Sequence, residues 1–359
     1  MNARDTVALL RRLVEIESPT GSAGVVEVAE VMATQLRERG AQASLLPGGH
    51  LRADLPGEGQ PLAVFGHTDT VWPEGTLTTM PFAVDDEVAR GPGVYDMKAC
   101  LVLVLAALDE AGPRRRAVRV FLTADEEQGS RTARDALRET VDGVAAAFVV
   151  EPPTAAGHLK TSRKGLGRFR ITVEGRPAHA GTNLADGASA VEELAHQIIR
   201  VHGLTDHERG ITVNVGTIAG GTTENVVAAH AEAKLDVRVR HAADVEIIER
   251  ALRALEPVVP GTTLVVDGGW TRPPLEQSPT SRALLEKAQQ HGRELGLELR
   301  GEASGGGSDG NLIGALGVPV LDGLGALGGG AHAYDEHVNL DSLGVRAQLL
   351  ARLLEEPGL

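Results

Sequence analysis

Residues 121–130, FLTADEEQGS, run from an apolar stretch straight into Asp125, Glu126 and Glu127, three adjacent carboxylates. Like charges at contact distance raise one another's pKa unless a cation neutralises them, so the stretch asks for a cation. Other acids and imidazoles stand in comparable places. VFGHTDTV puts His67 and Asp69 two residues apart at the end of an apolar run, hence on one side of a strand. His67 is a candidate metal ligand, and Asp69 a partner for its other ring nitrogen. GPGVYDMKA brings Asp96 to the start of an apolar helix, where it is either a ligand or only an N-cap. VVEPP adds Glu151, and GAHAYDEHV adds His332 and His337. Singly, each has a bland reading as a cap or a surface hydrogen bond. Together they form a nitrogen- and oxygen-rich set without cysteine, suited to zinc, cobalt or manganese. Because Glu126 and Glu127 are adjacent, their side chains point in different directions, and one can hold a cation while the other handles a proton. A cation lowers the pKa of water to about 7, within reach of a nearby carboxylate base.

To gather such residues, the chain must set strand ends side by side. Over the first 150 or so residues, helical patterns (VALLRRLVEI, KACLVLVLAALDEA) alternate with short apolar strands (PLAVFGH, AVRVFLTA, GVAAAFVVEP). That alternation predicts an α/β layer with a mixed, mostly parallel sheet flanked by helices, whose ligand crevice lies beyond the carboxyl ends of the strands. From residue 168 the pattern changes to GRFRITVEG, DGASAVEELAHQIIRVH, ITVNVGTI, HAEAKLDVRVR, DVEIIERALRAL and TTLVVDGG, in the order β-α-β-β-α-β of a ferredoxin-like α+β unit. Beyond WTRPPLEQSP, two helical patterns around a glycine-rich stretch return to the first layer. The expected division is 1–167 and 274–359 for the catalytic domain, with 168–273 inserted.

With 35 basic against 49 acidic residues, the formal net charge of −14 speaks against nucleic acid or an anionic membrane as a partner. The single cysteine, Cys100, excludes an internal disulfide and sits in an apolar run that predicts a buried, inert thiol. The first residues carry Asp5, Glu15 and Glu17 among apolar positions at helical spacing, unlike an export signal. No stretch approaches the roughly 20 apolar residues that cross a bilayer. These features point to a cytoplasmic protein.

In order, GHTDTV, GPGVYDMK, TADEEQGS, VVEP and GAHAYDEHV, around an inserted GRPAHAGTNLADGASA segment, resemble the M20 family of di-zinc aminoacylases and carboxypeptidases. The resemblance covers nearly the whole chain, and GHTDTVWPEGTL with ENVVAAHAEAKLDVR is similar to the glutamate carboxypeptidase branch. It implies a zinc-peptidase-like catalytic domain in which Asp96 bridges two metals, His67 and Glu151 complete one site, and Glu127 and His332 complete the other. Glu126 would be the general base, Asp69 would orient His67, and Asp125 would have a structural role at the turn. The peptide bond from Asp96 to Met97 would be cis. His179 would reach the other subunit's active site and help hold the oxyanion, which implies a homodimer through the inserted domain. Asn225 and Arg238 match a clamp for a substrate carboxylate, a group that a guanidinium engages with paired donors. Lys164, with Lys160, could attract an acidic side chain, although the spacing after Glu151 differs from glutamate-specific relatives and His158 falls near the key position. Ala99 and Cys100 replace the glycine that frequently follows DMK, a change that concerns helix packing more than metal binding.

The function this implies is a di-metal hydrolase, with zinc first and cobalt or manganese as alternatives. It would release a C-terminal amino acid, glutamate among the candidates, from N-acyl amino acids or small peptides. One alternative is an N-acyl amino acid deacylase of the acetylornithine or succinyl-diaminopimelate type. Another is a catalytically silent homologue that binds peptides or metals; such chains usually lack a ligand or the base, and none is missing here.

Overall fold

Continuous apolar runs make strands that are buried on both faces, and three such runs build the centre of the main sheet. The computed structural model describes residues 2–112 and 115–356. It divides into two compact units: one holds the described residues up to Ser162, Gln277–Ser304 and those from Ser308 onward, and the other holds Arg163–Glu276 with Gly305–Gly307.

The first unit carries an eight-stranded sheet. In spatial order its strands are Gln42–Leu45, Leu51–Leu55, Arg116–Thr123, Glu58–His67, Ala146–Val149, Val320–Asp322, Leu159–Arg163 and Gly301–Ser304. From Arg116–Thr123 to Val320–Asp322 neighbouring strands run parallel. Gln42–Leu45 pairs antiparallel with Leu51–Leu55, which pairs antiparallel with Arg116–Thr123, and Leu159–Arg163 runs antiparallel to Val320–Asp322. The sheet is therefore mixed, parallel at its centre and antiparallel at its flanks. A tight turn in which Gly48 and Gly49 both adopt φ +86° makes the first hairpin, a conformation that costs glycine little.

Register decides what the centre can do. His67 lies opposite Thr123, and Phe65 lies opposite Val149. The parallel strands thus end level with one another, and the residues following each tip share one crevice. Behind the sheet, the helix Ala99–Glu110 is apolar on nearly every side and buried up to Leu108 except at half-buried Ala106, lying against Leu340–Glu355. Capping sets where other helices begin. Asn2 accepts the Asp5 amide at 2.9 Å ahead of Ala3–Glu15, and Ser278 accepts that of Ser281 at 3.0 Å ahead of Pro279–Glu294. A small sheet of Gly328–Gly329, His337–Asn339, Val88–Arg90 and Ala83–Asp85 pairs the strand after His332 with the strand before Asp96.

The second unit is an antiparallel sheet ordered Thr212–Gly220, His230–Val239, Gly165–Glu174, Thr263–Arg272, with the helices Ala190–His202 and Ala242–Arg253. Numbered along the chain the strands stand 2-3-1-4, the ferredoxin-like arrangement. Strict alternation along Gly165–Glu174 turns Phe169, Ile171 and Val173 into a core with Leu194, Leu235 and Ile248, while Arg168 and Arg170 face outward. Arg163 helps define this unit: it exchanges backbone bonds with Leu275, and its guanidinium donates to the carbonyls of Gly306 and Gly307 at 3.2 and 3.3 Å.

Candidate metal centre

Strand tips deliver His67, the Glu126–Gln128 turn and Glu151; two irregular segments deliver Asp96 and His332. Asp96 lies in Val94–Lys98, where its own φ of −111° and ψ of 90° interrupt the helical path. Its peptide bond to Met97 is cis. His332 adopts φ +64° in the turn after Gly330, a region unusual for a residue with a side chain.

The five side chains fall into two groups that share Asp96: His67, Asp96 and Glu151, and Asp96, Glu127 and His332. One oxygen of Asp96 faces one group and the second faces the other. His67 Nε2 is 3.2 Å from Asp96 Oδ1 and 3.7 Å from Glu151 Oε1. His332 Nε2 is 3.3 Å from both Asp96 Oδ2 and Glu127 Oε1. Charge-assisted hydrogen bonds normally close to about 2.7–2.9 Å. By contrast, ligands at about 2.0–2.2 Å around a tetrahedral zinc stand roughly 3.4 Å from one another. The observed separations match that edge better than they match direct ion pairs.

Protons follow the same logic. His67 Nδ1 is 2.8 Å from the backbone carbonyl of Asp69, so that nitrogen carries the hydrogen and Nε2 can offer its lone pair. Burial works against a charged His67 ring, yet Asp69 and Asp96 hold its pKa well above the ordinary value. Asp96 and then Glu127 push His332 up to about 10. Asp96 is held below the usual carboxylate range by His332 and His67, although burial opposes this. Three carboxylates around two imidazoles thus draw positive charge to themselves. Glu127 Oε1 is buried and accepts no hydrogen bond of proper geometry. The donor set and its spacing fit two divalent cations of the zinc type.

The acidic turn is held from behind. Asp69 Oδ1 accepts the Glu126 amide at 3.1 Å, and Oδ2 accepts the Glu127 amide at 3.1 Å and the Thr20 hydroxyl at 2.7 Å. Its carboxylate stands 3.4 Å from His67 Nδ1, farther than its own carbonyl. Asp69 thus meets His67 most closely through its carbonyl, with its carboxylate also near the ring, and the same carboxylate holds the Glu126–Glu127 turn. Asp125 accepts the Thr132 amide at 2.8 Å and the Thr132 hydroxyl at 3.0 Å. Buried His50 accepts the Ala124 amide at its Nδ1 and lies 3.1 Å from Thr132 Oγ1 through Nε2. Buried Asp309 accepts the hydroxyls of Thr123 and Ser130. Glu336, four residues after His332, is buried against the segment carrying Asp96. Thr20, His50 and Asp309 stand outside the motifs above, and Glu336 lies in GAHAYDEHV with no role assigned to it there: each works largely through backbone groups or partners far away in the chain.

His337, the other downstream imidazole, is outside both groups; it pairs with Arg90 in the small sheet, and its Nδ1 lies 2.9 Å from the Asp335 carbonyl. His179, Asn225, Arg238 and Lys164 all belong to the second unit. His179 Nδ1 accepts the amides of Gly181 and Thr182, and the Asn225 carbonyl accepts the amide of Ala180, so these two loops lie together. Arg238 is already engaged: it donates to both oxygens of Asp236, at 2.8 and 3.3 Å, and to the Gly305 carbonyl at 2.8 Å. Burial, with Arg240 and Arg238 nearby, lowers the Lys164 pKa. Cys100 is buried, and burial pushes its thiol up to about 12. Among the described residues no helix is long and apolar enough to cross a membrane.

Two groups able to hold cations thus share one carboxylate near the tips of a parallel sheet. Residues 63–356 match the peptidase family M20/M25/M40, and the chain belongs to that family. It is 29% identical to carboxypeptidase G2 of Pseudomonas sp. (strain RS-16), over 98% of this chain and 89% of that one. It is also 29% identical to a succinyl-diaminopimelate desuccinylase of Methylococcus capsulatus, over 98% of each. A solved tripeptidase from Staphylococcus aureus, 21% identical, shares the fold with a TM-score of 0.83 over 99% of this chain and 98% of that one. The protein is a hydrolase acting on amide bonds.

Proposed function

We propose that this hydrolase releases a C-terminal amino acid, glutamate among the candidates, from N-acyl amino acids or small peptides in the cytoplasm, and that it works as a homodimer through the second unit. His67, Asp96 and Glu151 would hold one divalent ion and Asp96, Glu127 and His332 the other, zinc first, with cobalt or manganese able to substitute. When bound, the ions polarise the scissile carbonyl and lower the pKa of the attacking water. Glu126, beside the ligand Glu127, takes the proton of that water and returns it to the leaving amine. His179 supplies a donor to the oxyanion, and Asn225 with Arg238 receives the substrate's free carboxylate.

The observation that carries this reading is the Asp96 carboxylate, whose two oxygens each face a separate imidazole and carboxylate pair. The guanidiniums of Arg238 and Arg240 near Lys164, although Arg238 is paired with Asp236, are the groups that could meet an anionic substrate terminus. A deacylase of the desuccinylase type is the second reading, favoured by an identity to that relative equal to the identity to the carboxypeptidase. After zinc reconstitution, rates on N-acyl glutamates and dipeptides should exceed those on N-acetylornithine and N-succinyl-diaminopimelate. The reverse order would select the second reading.

A further inference from the structure

We propose that Glu336 is a positioning residue that aims Asp96 at both metal groups; the inference rests on the two-ion reading above. Glu336 is 1% exposed and belongs to neither ligand group. Its carboxylate is filled with donors from elsewhere in the chain. Oε1 accepts the backbone amides of Tyr95 at 2.9 Å and Asp96 at 3.0 Å. Oε2 accepts the amide of Gly93 at 3.0 Å and the indole N–H of Trp72 at 2.7 Å. The segment needs such an acceptor, because Asp96 departs from helical geometry and the buried amides of an interrupted helix must find partners outside it. With its own amide bound to Glu336, Asp96 keeps both side-chain oxygens turned toward His67 and His332. Glu336 also closes the turn Ala333–Glu336 that directly follows His332, its amide donating to the Ala333 carbonyl at 3.0 Å. One buried carboxylate thus ties the backbone of the shared ligand to the segment that carries the other site's imidazole. A neutral amide cannot replace it, since an NH2 in place of either oxygen would confront two N–H donors.

The test uses the full chain and zinc or cobalt as the only probes. Apo wild type and Glu336→Gln are titrated with Zn(II) against a chromophoric chelator, and with Co(II) while the d–d absorption is followed; circular dichroism checks that each apo protein is folded. Wild type should take up two ions per chain. Folded Glu336→Gln should bind them about 10- to 100-fold more weakly, the range for loss of a group that orients a ligand, with an altered Co(II) spectrum. Wild-type affinity and spectrum in folded Glu336→Gln would overturn the proposal, since a group that only satisfied buried amides would lower the melting temperature and leave the ions alone. If Glu336→Gln does not fold, Trp72→Phe decides. It removes one of the four donors and keeps the aromatic ring beside Tyr334, and it should weaken ion binding by about threefold or more; unchanged binding would overturn the proposal. Fewer than two ions on wild type would instead sink the two-ion reading itself, whatever the variants do.

Discussion

Asp69→Asn separates two accounts of how the centre is organised. If the carboxylate served mainly to orient His67, its loss should weaken the ion held by His67, Asp96 and Glu151. The geometry indicates otherwise. His67 Nδ1 lies 2.8 Å from the Asp69 carbonyl, which the substitution leaves in place, whereas the two carboxylate oxygens accept the amides of Glu126 and Glu127 at 3.1 Å each. Asparagine offers one oxygen and one NH2, so one amide of the pair must face another donor, while the Thr20 hydroxyl can turn to suit either group. A hydrogen bond to a charged acceptor contributes about 1.5–3 kcal/mol. At 1.36 kcal/mol per tenfold, losing one costs about 10- to 150-fold where the turn's geometry matters. The effect should appear in kcat/KM and in affinity for the ion held by Asp96, Glu127 and His332. Chelator competition in two backgrounds assigns it: added to His67→Ala, Asp69→Asn should weaken the remaining ion within that range, and added to His332→Ala it should change the remaining ion by less than about threefold. A loss confined to the His332→Ala background would refute the reasoning and restore the carboxylate as the partner of His67.

Three further outcomes are expected. Glu126→Gln should lower turnover by about 10²- to 10⁴-fold with both ions retained by elemental analysis, as for removal of a general base; loss of ions would place Glu126 among the ligands instead. Chelation should lower the melting temperature and zinc restore it, because an ion bound only to the folded chain stabilises it by about 2.7 kcal/mol at 100 times its Kd; an unchanged melting temperature would argue against cations at these groups. Arg238→Ala should raise KM for a substrate with a free C-terminal carboxylate by about tenfold or more while metal content stays constant, the loss of one charge-assisted contact. Unchanged KM and kcat would remove Arg238 from the clamp, leaving it as the partner of Asp236.

The strand tips were legible because burial on both faces makes a parallel strand apolar throughout, so a polar residue at its end stands out: His67, the Asp125–Glu127 run and Glu151 are all marked this way. The ferredoxin-like unit was legible from the strict alternation of Gly165–Glu174 and the helix periods between strands. Less visible were the hairpin Gln42–Leu45 and Leu51–Leu55 and the helix Ala23–Glu38 ahead of it, whose short or weakly patterned runs do not announce a place in the sheet. The groups that hold the centre in place were the hardest to read. A carboxylate that accepts main-chain amides leaves no spacing signal, because every residue except proline offers the same N–H. Asp69 is legible as a partner of His67 by proximity in sequence, but nothing there shows that its carboxylate also accepts main-chain amides more than 50 positions away. Glu336 lies in the same GAHAYDEHV stretch as His332, but its type and spacing do not tell an acceptor of main-chain amides from a ligand or a surface acid.

These backbone acceptors share a pattern that says how the two metal groups depend on one another. Each histidine arrives with an acid close behind it, His67 with Asp69 and His332 with Glu336, and each acid grips the backbone of a ligand from a different segment. Asp69 holds the amide of Glu127, which belongs to the group of His332. Glu336 holds the amide of Asp96, which both groups share. The segment bearing one imidazole therefore braces a carboxylate of the other group, and neither half is assembled from its own segment alone. Independent sites would lose affinity independently when one segment is disturbed. Here, damage to either acid is transmitted to a ligand across the centre, so the two ions should be lost and regained with coupled affinities, a coupling that the shared Asp96 alone would give only through its side chain.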